Sequence, residues 1–152
     1  MGPRYDPEPG IARFHAGTPS VLGLAAVEAA AELVADAGIE RIRAKSEALT
    51  ALAVELHDAW LARLGFELGS PRDPARRGSH VSLRHPEAWR ICRALIERAG
   101  VIPDFRLPDS VRLGFAPLYT RFTDVWDALD RLRALVESGA YADIDPKLSR
   151  VT

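Results

Sequence analysis

Apolar positions recur at helical spacing over residues 21–64, change to short alternating runs over 66–114, and return to helical spacing from residue 124. Ser20 is placed to cap a first helix that runs to about residue 37, with Gly38 closing it in a left-handed conformation. Glu28, Glu32 and Asp36 fall four apart in one stripe, and most other positions are Ala, Val or Leu. A helix apolar over most of its circumference requires cover on several sides, which points either to a missing domain or subunit or to a central place in a small domain. A second helix continues from Ile39 to about residue 64, with Ile39, Ile42, Leu49, Leu52, Leu56 and Trp60 on one face and Lys45 off it.

Residues 66–68 form a short strand candidate, followed by a polar loop over 69–78 that contains Pro71 and Pro74. Residues 79–84 alternate, Val81 and Leu83 one way and His80, Ser82 and Arg84 the other, which reads as a half-buried strand. Pro86 suits the start of a third helix with Ala88, Ile91, Cys92, Leu95, Ile96 and Ala99 inward. Two extended runs, 104–107 and 110–114, flank Pro108-Asp109 and predict a hairpin. Thr123 is the expected cap of a last helix over 124–138, with Val125, Trp126, Leu129, Leu132, Leu135 and Val136 as its apolar stripe and Asp127 paired to Arg131 outside. The order is helix, helix, strand, strand, helix, strand, strand, helix. An α+β domain with helices packed on one face of a mainly antiparallel sheet follows. The expected organisation is an irregular lead-in at 1–19, two joining helices at 20–64, a small α+β domain at 65–138 and a fraying polar tail at 139–152.

A chain of 152 residues with 47% apolar and 27% charged positions has the makings of one globular domain. The net charge of −1 gives no reason to expect a polyanionic or membrane partner, so neither nucleic acid nor membrane is expected. Arg72, Arg76 and Arg77 form a basic loop without interleaved aromatics and read as solvated charge. One cysteine excludes an intrachain disulfide, and residues 1–10 lack the apolar core of a signal peptide; a cytoplasmic protein is expected. The four histidines show no metal-ligand spacing, so no metal site is expected. Cys92 on an inward helix face reads as a small core residue.

Two places carry candidate chemistry. Arg112 stands between Val111 and Leu113 in an apolar run, where a guanidinium is costly unless it meets a carboxylate or phosphate. It is either a fork-shaped donor for an amino-acid carboxylate or a strand arginine paired to an internal acid such as Asp104 or Asp109. Gly17-Thr18-Pro19 precedes the first helix, where a hydroxyl and free backbone N–H groups suit a phosphate. The alternative is that Thr18 and Ser20 only cap the helix.

The run DFRLPDSVRLGFAPLYTRFTDVW from Asp104, with RGSHVSL from Arg77 and GIARFHAGTPSVLGL from Gly10, resembles the C-terminal part of kynureninase. That family consists of pyridoxal 5'-phosphate enzymes of the aminotransferase-like fold. The resemblance covers nearly the whole chain and only the last third or so of such an enzyme. It implies the small C-terminal domain of that fold and hydrolysis of kynurenine or 3-hydroxykynurenine to an anthranilate and alanine, with the cofactor as electron sink. It implies a homodimer whose shared site takes a phosphate contact from Thr18 beside Gly17, where human-type members carry an amide. It assigns the substrate α-carboxylate to Arg112.

The Schiff-base lysine of such enzymes must be desolvated and sit against the pyridoxal ring. Neither Lys45 nor Lys147 matches the family's lysine motif, which belongs upstream together with the acid at the pyridine nitrogen and the stacking aromatics. No catalytic residue is therefore expected in this chain, and alone it should be inactive. It reads as a truncated product or one half of a split enzyme with an upstream catalytic polypeptide. The alternative is a non-catalytic orphan domain acting as a binding or interaction module.

Overall fold

A computed structural model describes residues 6–15 and 17–147. The chain divides into two compact units, Met1–Ile39 and Glu40–Thr152.

In the first unit a 3-10 turn over Gly10–Phe14 precedes helix α1, Val21–Ala37. Ser20 caps α1 as its residue type dictates: its Oγ accepts from Gly23 N at 3.3 Å and its carbonyl from Leu24 N at 2.9 Å. Gly38 ends the helix at φ 78°, a region open to glycine, although its ψ of 128° is not that of a left-handed helical residue. None of the α1 residues is buried.

The second unit holds the hydrophobic core. Helix α2, Ile39–Leu56, contributes Leu49, Ala53, Val54 and Leu56 to it. The helical path continues through a wide π turn over His57–Leu61 and a 3-10 turn over Ala62–Leu64, closed by left-handed Gly65. Strands β1 (Glu67–Leu68), β2 (His80–Arg84), β3 (Asp104–Arg106) and β4 (Ser110–Gly114) form one antiparallel sheet in the order β1-β2-β4-β3. The α+β class and the antiparallel sheet expected from the sequence are both present. Val81 and Leu83 of β2 lie opposite Leu113 and Val111 of β4, and these four form the sheet's buried face. Helix α3, Ala88–Ala94, packs on that face, and α4, Phe122–Glu137, packs against α3. Trp89 meets the Phe105 ring edge-on at 5.5 Å, which ties α3 to the edge strand.

Four local expectations are revised. The π turn over Leu95–Ala99 widens the end of the third helix, and Ile96, expected inward, is exposed. The cap of α4 is Arg121, whose backbone N–H donates to Asp124 Oδ2 at 2.7 Å, while Thr123 lies within the first turn. Arg131, expected to pair with Asp127, donates to the Ala99 carbonyl at 3.0 Å. The described part of the tail, residues 140–147, is held rather than frayed: Tyr141 and Ile144 pack on the core, Arg98 grips Asp143 at 2.7 and 2.9 Å, and Trp89 Nε1 donates to the Asp145 carbonyl, while the end of the expected tail lies outside the described residues.

Candidate functional site

The alternation that buries Val111 and Leu113 turns Arg112 to the opposite face of the sheet. Its register partners are Ser82 on β2 and Asp104 on β3. Its side chain is 33% exposed, so the guanidinium is half sheltered and reachable from outside. Nη2 of Arg112 donates to Asp104 Oδ2. The same oxygen takes Arg106 Nε at 3.0 Å and Nη2 at 2.8 Å. Asp104 is thus the internal acid that the sequence offered as one of two partners for Arg112. The other, Asp109, is held by Arg84 through contacts of 3.1 and 2.8 Å. That guanidinium keeps the Asp109 carboxyl below the usual carboxylate range.

The pairing of Arg112 is incomplete. Arg72 and Arg98 each meet a carboxylate through two separate oxygens, at 2.7 and 2.8 Å from Asp58 and 2.7 and 2.9 Å from Asp143. Arg112 has one oxygen, shared with Arg106, and its Nε and Nη1 donate to none of the described residues. A guanidinium with an unoccupied edge is a geometry that accepts a second carboxylate in parallel hydrogen bonds. Downstream, β4 ends at a hollow of about 410 Å³ lined by Leu113, Gly114 and Phe115 and by Arg121 and Asp124. Arg112 does not line it.

Gly17 and Thr18 are exposed and lie in the first unit, just ahead of α1. The Thr18 hydroxyl has no hydrogen bond among the described residues, the first turn of α1 contains no acidic residue, and Ser20 alone provides the cap. A Cβ at Gly17 would meet nothing within 4 Å. A free hydroxyl beside unpaired first-turn N–H groups suits a phosphate. These features fit the phosphate end of pyridoxal phosphate. The ring end has no matching lysine: Lys45 lies on α2, where its charge acts on Asp124.

Sequence reasoning missed the burial of Arg77, expected in solvent with Arg72 and Arg76. Arg77 is only 6% exposed. Its Nη1 donates to the carbonyls of Pro71 and Arg72 at 2.7 and 2.8 Å, and its own carbonyl takes Arg43 Nη1 at 2.9 Å. No local signal marked it, since its partners lie five and six residues upstream and on α2. Nearby, buried His57 spans Asp58 Oδ1 at 2.9 Å and the Phe66 carbonyl at 3.1 Å, while Arg72 forks onto Asp58. Arg72 and then His57 hold the Asp58 carboxyl far below the usual range. This cluster fastens the β1 entry to α2 and reads as structural. Cys92 is buried, and desolvation pushes its thiol up to about 12, which removes it as a nucleophile at neutral pH. Among the described residues no group of three or more His, Cys, Asp or Glu is placed to hold a metal, and no helix is long and apolar enough to cross a membrane.

The family model described as kynureninase C-terminal domain matches residues 42–132, which contain the sheet, α3 and Arg112. A protein named kynureninase from Pseudomonas fluorescens is 45% identical over 142 residues, covering 93% of this chain and 34% of that protein. Proteins of the same name from Burkholderia mallei (strain SAVP1) and Burkholderia pseudomallei (strain K96243) are 43% identical over 141 residues, with the same coverage. The chain spans about a third of the length of the curated relatives it matches.

Proposed function

The chain belongs to the kynureninase C-terminal domain family, and from that membership we propose that it forms the C-terminal part of an enzyme that hydrolyses kynurenine or 3-hydroxykynurenine to an anthranilate and alanine. The single observation carrying the role of this chain is Arg112, turned outward by strand alternation with one guanidinium edge left unpaired. That edge takes the substrate's α-carboxylate in a planar, two-bond grip, which fixes the amino acid's position and orientation. The partial shelter of the site strengthens the grip relative to water.

Thr18, with Gly17 and the first-turn N–H groups of α1, holds the cofactor phosphate, and the dipole of α1 favours the dianion there. When bound, the cofactor supplies the electron sink for breaking the carbon–carbon bond. The lysine that anchors it and moves protons comes from an upstream catalytic polypeptide, and the working form is a homodimer in the cytoplasm. Alone, this chain is inactive. A second reading, an orphan domain that keeps the shape as a binding or interaction module, is favoured by one observation: none of the residues of the largely apolar α1 is buried.

The test is kinetic. In the enzyme assembled from this chain and its upstream polypeptide, Arg112→Ala lowers kcat/KM by an amount equivalent to about 2–5 kcal/mol, the usual cost of breaking a desolvated charge pair. Thr18→Ala mainly weakens retention of pyridoxal phosphate. An unchanged kinetic profile for Arg112→Ala would return the residue to a surface ion pair with Asp104.

A further inference from the structure

We propose that Asp104 and Arg106 set the affinity of the Arg112 carboxylate site, Asp104 as an internal competitor and Arg106 as the residue that draws it away. The proposal rests on the clamp reading of Arg112 and adds two residues to it. Its basis is the sharing of one oxygen. Asp104 Oδ2 receives Arg112 Nη2 and also Arg106 Nε and Nη2, and none of these donors reaches Oδ1. Two guanidiniums therefore divide one carboxylate, and the trio keeps one unbalanced positive charge on the outward face of the sheet.

This arrangement differs from the forked pairs of Arg84, Arg72 and Arg98. Arg84, Arg72 and Arg98 each have a carboxylate whose two oxygens they occupy, so an arriving anion would have to break a matched pair. At Arg112 an arriving carboxylate meets surplus charge and a free edge. Asp104 is 44% exposed and Arg106 58%, and ion pairs this open exchange readily. Neither residue is needed by the core: both lie on the outward face of edge strand β3, while Phe105 between them packs inward on Trp89.

The signs follow from Coulomb's law and from competition, and both effects agree. Removing the Arg106 charge takes away the surplus and leaves Asp104 to Arg112 alone, so an outside carboxylate binds more weakly. Removing the Asp104 charge deletes the competitor and raises the surplus, so an outside carboxylate binds more tightly. A role confined to holding the strand would make both changes weaken the site.

The experiment uses the full chain, labelled with nitrogen-15 and titrated with sodium acetate at constant ionic strength, following the arginine Nε–Hε resonances. In the unaltered chain the Arg112 signal moves and saturates. Arg106→Ala weakens the acetate affinity by about threefold or more, and Asp104→Asn tightens it by about threefold or more. Arg112→Ala abolishes the site, and the backbone amide spectrum stays dispersed in all three. Weakening by both Arg106→Ala and Asp104→Asn, or no change in either, overturns the proposal and leaves the clamp standing. An Arg112 signal no more responsive than those of Arg72 and Arg98 defeats the clamp itself and the proposal with it.

Discussion

Leu83→Ala tests the register that puts Arg112 outward. Leu83 has no exposed surface, stands on β2 opposite Val111, and packs on the side away from Arg112. Truncation to alanine exchanges an isobutyl group for a methyl. At about 0.8 kcal/mol per buried methylene the transfer loss is roughly 2 kcal/mol. The space left in a closed core raises the total to about 2–5 kcal/mol. The control is its neighbour, Ser82→Ala. Only the backbone of Ser82 is bonded, its N–H to Ser70 Oγ and its carbonyl to Gly69 N, so this change stays within about 0.5 kcal/mol. The assay is urea unfolding at neutral pH followed by circular dichroism, with the slope checked for constancy. A loss of about 3 kcal/mol also lowers the melting temperature by roughly 10–20 °C for a domain of this size. A cost below about 1 kcal/mol for Leu83→Ala, together with a larger one for Ser82→Ala, would mean that the faces are exchanged. With the pairing of Ser82 to Arg112 kept, exchanged faces would turn Arg112 into the core, and the clamp would lose its basis.

Other consequences follow from the titrating groups. Asp58 is held far below its ordinary value by Arg72 and then His57, so its contribution to stability is complete above the unfolded value of 3.8 and is lost as pH falls through the folded value. Asp58→Asn should therefore flatten the fall of melting temperature below about pH 4, and an unaltered acid limb would show the cluster to be idle. Cys92, with its thiol pushed up to about 12 by burial, should react with a thiol reagent at pH 8 only as fast as the domain opens. Rapid labelling of the folded chain would contradict the burial of α3.

The order of elements was legible because each rests on local periodicity: residues 79–84 and 110–114 alternate, and α1 and α4 carry helical stripes. The antiparallel sheet also followed, since short strands joined by a hairpin leave few other arrangements. What escaped were contacts made across the chain. Nothing local to Arg77 distinguishes it from Arg76, yet carbonyls from Pro71 and Arg72 and the reach of Arg43 bury one and leave the other exposed. Polar residues in the tail suggest fraying, yet Arg98, far away in sequence, holds its described part through Asp143. At the candidate site, the outward turn of Arg112 was not foreseen, although the alternation of β4 contains it. Its partner was narrowed only to Asp104 or Asp109, because choosing between them depends on Arg84 occupying the second.

On the proposed function, this chain contributes a carboxylate clamp to a kynureninase whose reacting lysine lies on another stretch of polypeptide. The most direct measurement is a kynurenine-cleavage assay with added pyridoxal phosphate, run on this chain alone and on its mixture with the lysine-bearing upstream polypeptide. Anthranilate is expected only from the mixture, with loss of that activity on Arg112→Ala. Anthranilate from the chain alone, or silence from a mixture shown to have assembled, would contradict it.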